Sequence, residues 1–151
     1  MPRNPPHDVA IQRLNKRFIR LAPTGLEIRV QSAIRLPDSE PEPDVALARG
    51  DDLTFSHRHP EPTELESLVE VSDSTLARDR DDKGRIYARA RIPVYWIVNL
   101  VDRQIEVYTQ PSGPTAIPSF GHRQDYRVGD SVPVVANGTQ IGLIPVAEIL
   151  P

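Results

Sequence analysis

Ile11, Leu14, Phe18 and Leu21 fall on one side of a helix wound at about 100° per residue. The spacing predicts a helix from His7 to Ala22. The opposite side carries Arg13, Lys16, Arg17 and Arg20 and no acid. It reads either as a solvated face or as a stripe that attracts phosphate. Pro23-Thr24-Gly25 stops the helix. Two extended segments, Leu26–Val30 and Ala33–Leu36, lead into an acidic, proline-rich turn from Pro37 to Pro43. Asp44–Ala48 then reads as a strand that opens directly after a proline. From Arg49 to Glu64 the periodicity disappears, which predicts a long polar loop. His57-Arg58-His59 within it has no third ligand at a useful metal spacing and reads as solvated.

The second half is more apolar in its bursts. Leu65–Ser72, with Leu68-Val69-Glu70-Val71 at its centre, predicts a strand buried on both faces. Ser72-Asp73-Ser74-Thr75 offers N-caps for a helix from about Leu76 to Ala90. On that helix Leu76, Ile86, Tyr87 and Ala90 form the apolar stripe, and Arg78, Asp82, Arg85 and Arg89 lie opposite. Val94–Val98 is another buried-strand pattern, and Gln104-Ile105-Glu106-Val107-Tyr108 alternates like its antiparallel partner. From Pro111 on, short strands are broken by Gly and Pro and end in a helical turn at Val146–Leu150. Helix, strands, helix, strands is the order of an α/β sandwich around a mixed sheet.

Bulk properties narrow this reading. A chain of 151 residues fits one domain over 1–151, with residues 1–6 expected to be disordered. With no cysteine, a disulfide scaffold, a thiolate zinc site and a cysteine nucleophile are excluded, and the composition suits a cytoplasmic protein. No apolar run approaches the ~20 residues that span a bilayer, so no membrane association is expected. The formal net charge is -3, so any contact with nucleic acid must rest on a local basic patch. No Gly-x-Ser-x-Gly elbow supports a serine hydrolase.

Two residues break the pattern. Glu70 sits in the middle of the most apolar strand, where a lone carboxylate must protonate or find a partner. Lys83 projects from the apolar stripe of the following helix, either snorkelling to solvent or pairing with a buried acid. Asp44, at the start of another strand, can project its carboxylate from a strand end. Two strand-borne carboxylates are typical oxygen ligands of Mg²⁺ or Mn²⁺.

With these residues in place, the chain resembles a known family. Pro43-Asp44-Val45-Ala46, Leu68-Val69-Glu70-Val71-Ser72, Asp79-Arg80-Asp81-Asp82-Lys83 and the run from Tyr87 to Val98 resemble the Uma-two family of bacterial restriction-endonuclease-like proteins, within the PD-(D/E)xK nuclease superfamily. The resemblance implies a three-layer restriction-endonuclease-like fold: a central mixed sheet flanked by helices, here with extra short C-terminal strands. It implies a Mg²⁺- or Mn²⁺-dependent endonuclease acting on DNA. Asp44, Glu70 and Lys83 would be its catalytic residues, and Asp44, Glu70 and the Val71 carbonyl its metal ligands. The usual superfamily lysine lies two residues after the second acid. Ser72 stands there, and Lys83 on the next helix matches the family's migrated lysine. Gln31 matches a recurrent family position and is expected to line the site with Ser72. Tyr87, one turn beyond Lys83, either borders the site or packs. Relatives usually begin with an additional strand pair. Its absence here leads us to expect an exposed sheet edge, pairing into a homodimer, or a catalytically degenerate domain that binds nucleic acid or protein.

Overall fold

The computed structural model describes residues 4–151. The first helix, α1, runs Pro5–Leu21. It begins two residues earlier than the apolar spacing predicts, because Asn4 caps it by accepting the His7 backbone N–H at 3.0 Å and the two prolines occupy its first turn. The expected disorder over 1–6 is therefore corrected for Pro5 and Pro6, which are helical; residues 1–3 lie outside the described residues. Asn4 also donates to the Asp73 carboxylate at 2.8 Å, tying the helix start to the end of a central strand. Asn4→Ala is expected to cost about 1 kcal/mol in a urea titration, the usual value of a lost N-cap.

Six strands form one sheet in chain order: β1 (Leu26–Val30), β2 (Val45–Arg49), β3 (Leu65–Ser72), β4 (Val94–Asn99), β5 (Gln104–Pro111) and β6 (Phe120–Arg127). Every neighbouring pair is antiparallel except β3 and β4, which run parallel. A parallel pair needs a crossover. Here it is α2 (Leu76–Arg78), a π-helical stretch (Asp79–Lys83) and α3 (Gly84–Arg89), run together. A hairpin, β7 (Ser131–Ala136) and β8 (Thr139–Pro145), forms a second small sheet, followed by a 3₁₀ turn at Val146–Glu148. The expected strand at Ala33–Leu36 is instead a loop. Its amides bond to loop carbonyls, Ile34 to Pro41, Leu36 to Ser39 and Arg35 to Pro60, and only Ile34 and Leu36 are buried.

Side-chain alternation divides the core into two layers. Val45, Leu47, Val69, Val71, Trp96 and Val98 point to the layer that holds α1, the β7–β8 hairpin and the C-terminal Ile149 and Leu150. Trp96 meets Phe18 edge-on, with centroids 5.5 Å apart. Ala46, Ala48, Leu68, Tyr95 and Ile97 point the other way, to Tyr87, Ile92 and Phe55. The basic side of α1 is partly committed to this packing: Arg13 donates to the Leu150 carbonyl at 2.7 Å, and Arg17 lies 3.2 Å from Glu148. Among the described residues, no helix is long and apolar enough to cross a membrane.

Candidate active site

The site forms where β2 and β3 stop pairing. Val45 opposite Val69 is the last pair of that ladder toward this end. One residue further, side chains take over from the backbone. The Asp44 carboxylate accepts the Val71 N–H at 2.8 Å, and the Asp44 N–H donates to Glu70 Oε1 at 3.3 Å. Each acid is thus held by the other's strand. Asp44 follows Pro43, has its carbonyl bonded to the Gln31 N–H at 3.0 Å, and lies 7% exposed. Glu70, on the face that Leu68 shares with the crossover helix, is only 2% exposed.

The crossover helix closes over Glu70. Lys83 Nζ donates to Glu70 Oε2 at 2.7 Å, and the Tyr87 hydroxyl donates to the same oxygen at 2.8 Å. Tyr87 therefore both borders the site and packs, meeting Tyr95 edge-on at 4.9 Å. Burial pushes the Glu70 carboxyl up, the Lys83 ammonium pulls it down and the Asp44 charge raises it again, leaving it at about 7. Burial works to lower the pKa of Lys83, but the carboxylates of Glu70, Asp79 and Asp44 hold it above its ordinary value. The Tyr87 hydroxyl is raised by burial and by the Glu70 charge, so it stays a donor.

The π-helical stretch displaces the residues beyond Lys83. A π turn adds a residue to the helix and slips the wheel beyond it. Asp79 and Lys83 turn to one side, while Ile86, expected inward, is 42% exposed. Asp79 is buried, accepts from the Ser72 hydroxyl and, at 2.8 Å, from the Thr75 hydroxyl, and stands 3.8 Å from Lys83 Nζ. The Tyr95 hydroxyl fixes the Asp79 carbonyl at 2.9 Å. Ser72 thus acts on the site through Asp79, and the ammonium arrives from Lys83 on the helix above.

Asp44, Glu70, Val71, Lys83 and Tyr87 are brought together, with Ser72 joined through Asp79. Gln31 reaches Asp44 through its backbone, in a left-handed conformation at φ 52°. Sequence reasoning missed Asp79, which reads as one more acid in a charged run. It also missed His7, whose Nε2 lies 3.4 Å from Asp44 Oδ2 and whose buried Nδ1 has no hydrogen-bond partner. No local signal marks His7, because its partner lies far along the chain. Asp44, Glu70 and the Val71 carbonyl are hard oxygen donors suited to Mg²⁺ or Mn²⁺. Among the described residues, no group of three or more His, Cys, Asp or Glu is placed to hold a metal by itself.

Comparison with known proteins agrees with this architecture. A crystal structure of a putative nuclease belonging to DUF820 from Anabaena variabilis ATCC 29413 superposes with a TM-score of 0.68 at 10% identity, covering 99% of this chain and 82% of that one. At that identity the likeness speaks for the fold. No curated protein matches. The Uma2 family model, described as a putative restriction endonuclease, matches residues 1–139, nearly the whole chain. The chain belongs to the Uma2 family.

Proposed function

We propose that the chain is a metal-dependent endonuclease that hydrolyses phosphodiester bonds of DNA, with Asp44, Glu70 and Lys83 as its catalytic residues. The observation that carries this reading is the pair of interlocked, buried carboxylates facing a single ammonium. A buried carboxyl left at about 7 beside a second carboxylate is under-neutralised, and a divalent cation supplies the missing charge. No hydrogen bond among the described residues reaches Asp44 Oδ1, so one oxygen is left for such an ion. Along a strand the N–H and C=O of one residue point to the same side. The Val71 carbonyl therefore points toward the Asp44 carboxylate that its N–H already meets. Mg²⁺ commonly makes do with one or two carboxylates and fills its shell with water, so Asp44, Glu70 and Val71 suffice.

When bound, the ion contributes a water of lowered pKa and a polarised phosphoryl oxygen. The protein's own groups do the rest. Lys83, whose side chain is 29% exposed, presents its ammonium to the charge that develops on the phosphoryl oxygens. Asp79 holds that ammonium from behind, and Ser72 and Thr75 hold Asp79. Tyr87 keeps Glu70 oriented, and His7 does the same for Asp44.

Purified protein with Mg²⁺ or Mn²⁺ is expected to cut single- or double-stranded DNA, Asp44→Ala to abolish cutting and Lys83→Ala to slow it by roughly 100- to 1000-fold. Cleavage that survives both substitutions at the parental rate overturns the assignment. The absence of a third side-chain ligand among the described residues favours a second reading, a degenerate nuclease fold that binds nucleic acid or protein without cutting. Calorimetry with Mn²⁺ separates the two. Binding lost in Glu70→Gln supports the enzyme, and no binding even at high Mn²⁺ supports the binding module.

A further inference from the structure

A protein of net charge -3 that acts on a polyanion needs a local basic patch. The basic face of α1 is a poor candidate, since Arg13 and Arg17 are engaged by the C-terminal segment. A better one lies beside the site. Leu26, Ile28 and Val30 of β1 pack toward α1, so alternation turns Arg29 to the opposite face, the one that carries Asp44 and Glu70. Arg29 stands opposite Ala46. It is therefore one strand across and two residues along from Asp44, roughly 5 Å by 7 Å on ordinary sheet geometry.

Arg29 forms one wall of a cleft of about 420 Å³, shared with Arg35, Arg58, His57 and His59. The cleft is a built feature. Phe55, 9% exposed, anchors the long polar loop in the core and carries the Arg29 guanidinium 5.2 Å from its ring centroid and that of Arg58 at 5.6 Å. The Arg35 N–H donates to the Pro60 carbonyl at 2.8 Å, joining the other wall to the same loop.

The charges in the cleft do not cancel. Arg58 is matched by a bidentate pair with Glu64, at 2.6 and 2.7 Å. Among the described residues, Arg29 and Arg35 have no carboxylate within ion-pair distance, and Glu40 is the one acid lining the cleft. The Nε of Arg29 is buried and has no acceptor. A buried N–H without an acceptor is costly unless one is supplied.

We infer that this cleft is a phosphate subsite, in which Arg29 and Arg35 hold a backbone phosphate of the nucleic acid next to the one at Asp44 and Glu70. The inference rests on the nuclease reading, and it gives His57-Arg58-His59 a setting: the rim of an anion site. The subsite positions substrate without touching the bond that breaks, so its loss raises KM and leaves kcat unchanged.

The test is anisotropy of short labelled oligonucleotides, single-stranded and duplex, titrated across salt concentrations without divalent metal. The Arg29→Gln/Arg35→Gln protein is expected to bind ~10-fold more weakly, with a log–log salt slope smaller by about 1 to 2. Arg35→Gln alone, at an exposed position, is expected to show part of that loss even if the Arg29 change disturbs packing on Phe55. Arg20→Gln on α1 is expected to bind like the parent protein. Unchanged affinity and slope in the double variant overturn the subsite and leave the nuclease reading standing. If the parent protein binds neither oligonucleotide, the nuclease reading fails. The cleft is then judged by inorganic phosphate alone: a saturable shift of the Arg29 Nε–H resonance supports an anion site, and no shift overturns it.

Discussion

Lys83→Met is expected to slow DNA cleavage at neutral pH by roughly 100- to 1000-fold, the usual effect of removing one preorganised group that stabilises transition-state charge. The pH dependence identifies the cause. Glu70 already sits at about 7, because burial and Asp44 outweigh what Lys83 provides. Removing the ammonium raises it further. The variant's Glu70 is then protonated at neutral pH and competes poorly for a cation, whose binding must release that proton. The acid limb of the activity profile therefore moves to higher pH, and part of the lost rate returns as pH rises. Stability follows the same carboxyl. A folded-state pKa above the unfolded one gives stability that is fully present below the unfolded value and lost as pH rises through the folded value. For the parent protein without metal this window runs from about 4.5 to about 7 and is worth roughly 3 kcal/mol. In Lys83→Met it extends further upward. Urea titrations in chelator are expected to show a small difference between the proteins at mildly acidic pH and a growing one at alkaline pH. An unchanged rate and an unchanged pH profile would remove Lys83 from the catalytic set.

The acids of this site were legible to different degrees, for physical reasons. Glu70 stands out because an apolar run has no other use for a carboxylate, and β3 is buried along all of its length. Lys83 was visible through the helical wheel even though the wheel was wrong. The π turn lies within Asp79–Lys83 itself, so the error reached Ile86 but spared the lysine. Nothing in Asp79-Arg80-Asp81-Asp82-Lys83 announces a π turn; it holds no proline or glycine, and what settles it is which charges find partners across the sheet. Asp79 was hidden because three acids close together look like a solvated surface, whereas one of them, capped by Ser72 and Thr75, is buried. Ala33–Leu36 has a strand's composition but no neighbouring strand to pair with, so its amides bond to carbonyls of the following turn and, through Arg35, of the long polar loop. β5 shows the limit of alternation most clearly. Its alternation puts Gln104 and Glu106 on one face, yet both polar residues are buried, as Ile105 and Val107 on the other face are.

Glu106→Ala is expected to destabilise the fold by about 1–3 kcal/mol, the range for leaving buried donors without their acceptor. Glu106 is fully buried. Its carboxylate accepts from Arg80 through both oxygens, from Asn99 at 2.8 Å, from Gln104 at 3.0 Å and from the Tyr108 hydroxyl at 2.7 Å, with Arg123 3.3 Å away. Removing it takes an acceptor from Asn99, Gln104 and Tyr108 at once and leaves the part-exposed Arg80 with Asp102, 3.8 Å away. Burial alone would raise its pKa, but the bonds from Arg80, Tyr108, Asn99 and Gln104 prevail and bring it down to about 2. The sign is the reverse of that for Glu70. A depressed folded-state value gives stability present above the unfolded pKa and lost as pH falls through the folded one, so the parent protein should weaken between about 4.5 and about 2 and Glu106→Ala should lack that component. Two buried acids on one face of one sheet thus titrate in opposite directions. Glu106 is surrounded by donors and is structural; Glu70 has one ammonium and one hydroxyl, with the Asp44 carboxylate beside it, and it is the acid left short of positive charge. The two are joined through the crossover helix, since Arg80 and Lys83 belong to the same π stretch and anchor it from either side. A folded Glu106→Ala protein, assayed at low temperature, is accordingly expected to cut more slowly because Lys83 is less firmly placed, with the pH profile of the parent retained. Full parental cleavage rates would mean that Lys83 holds its position on Glu70 and Asp79 alone.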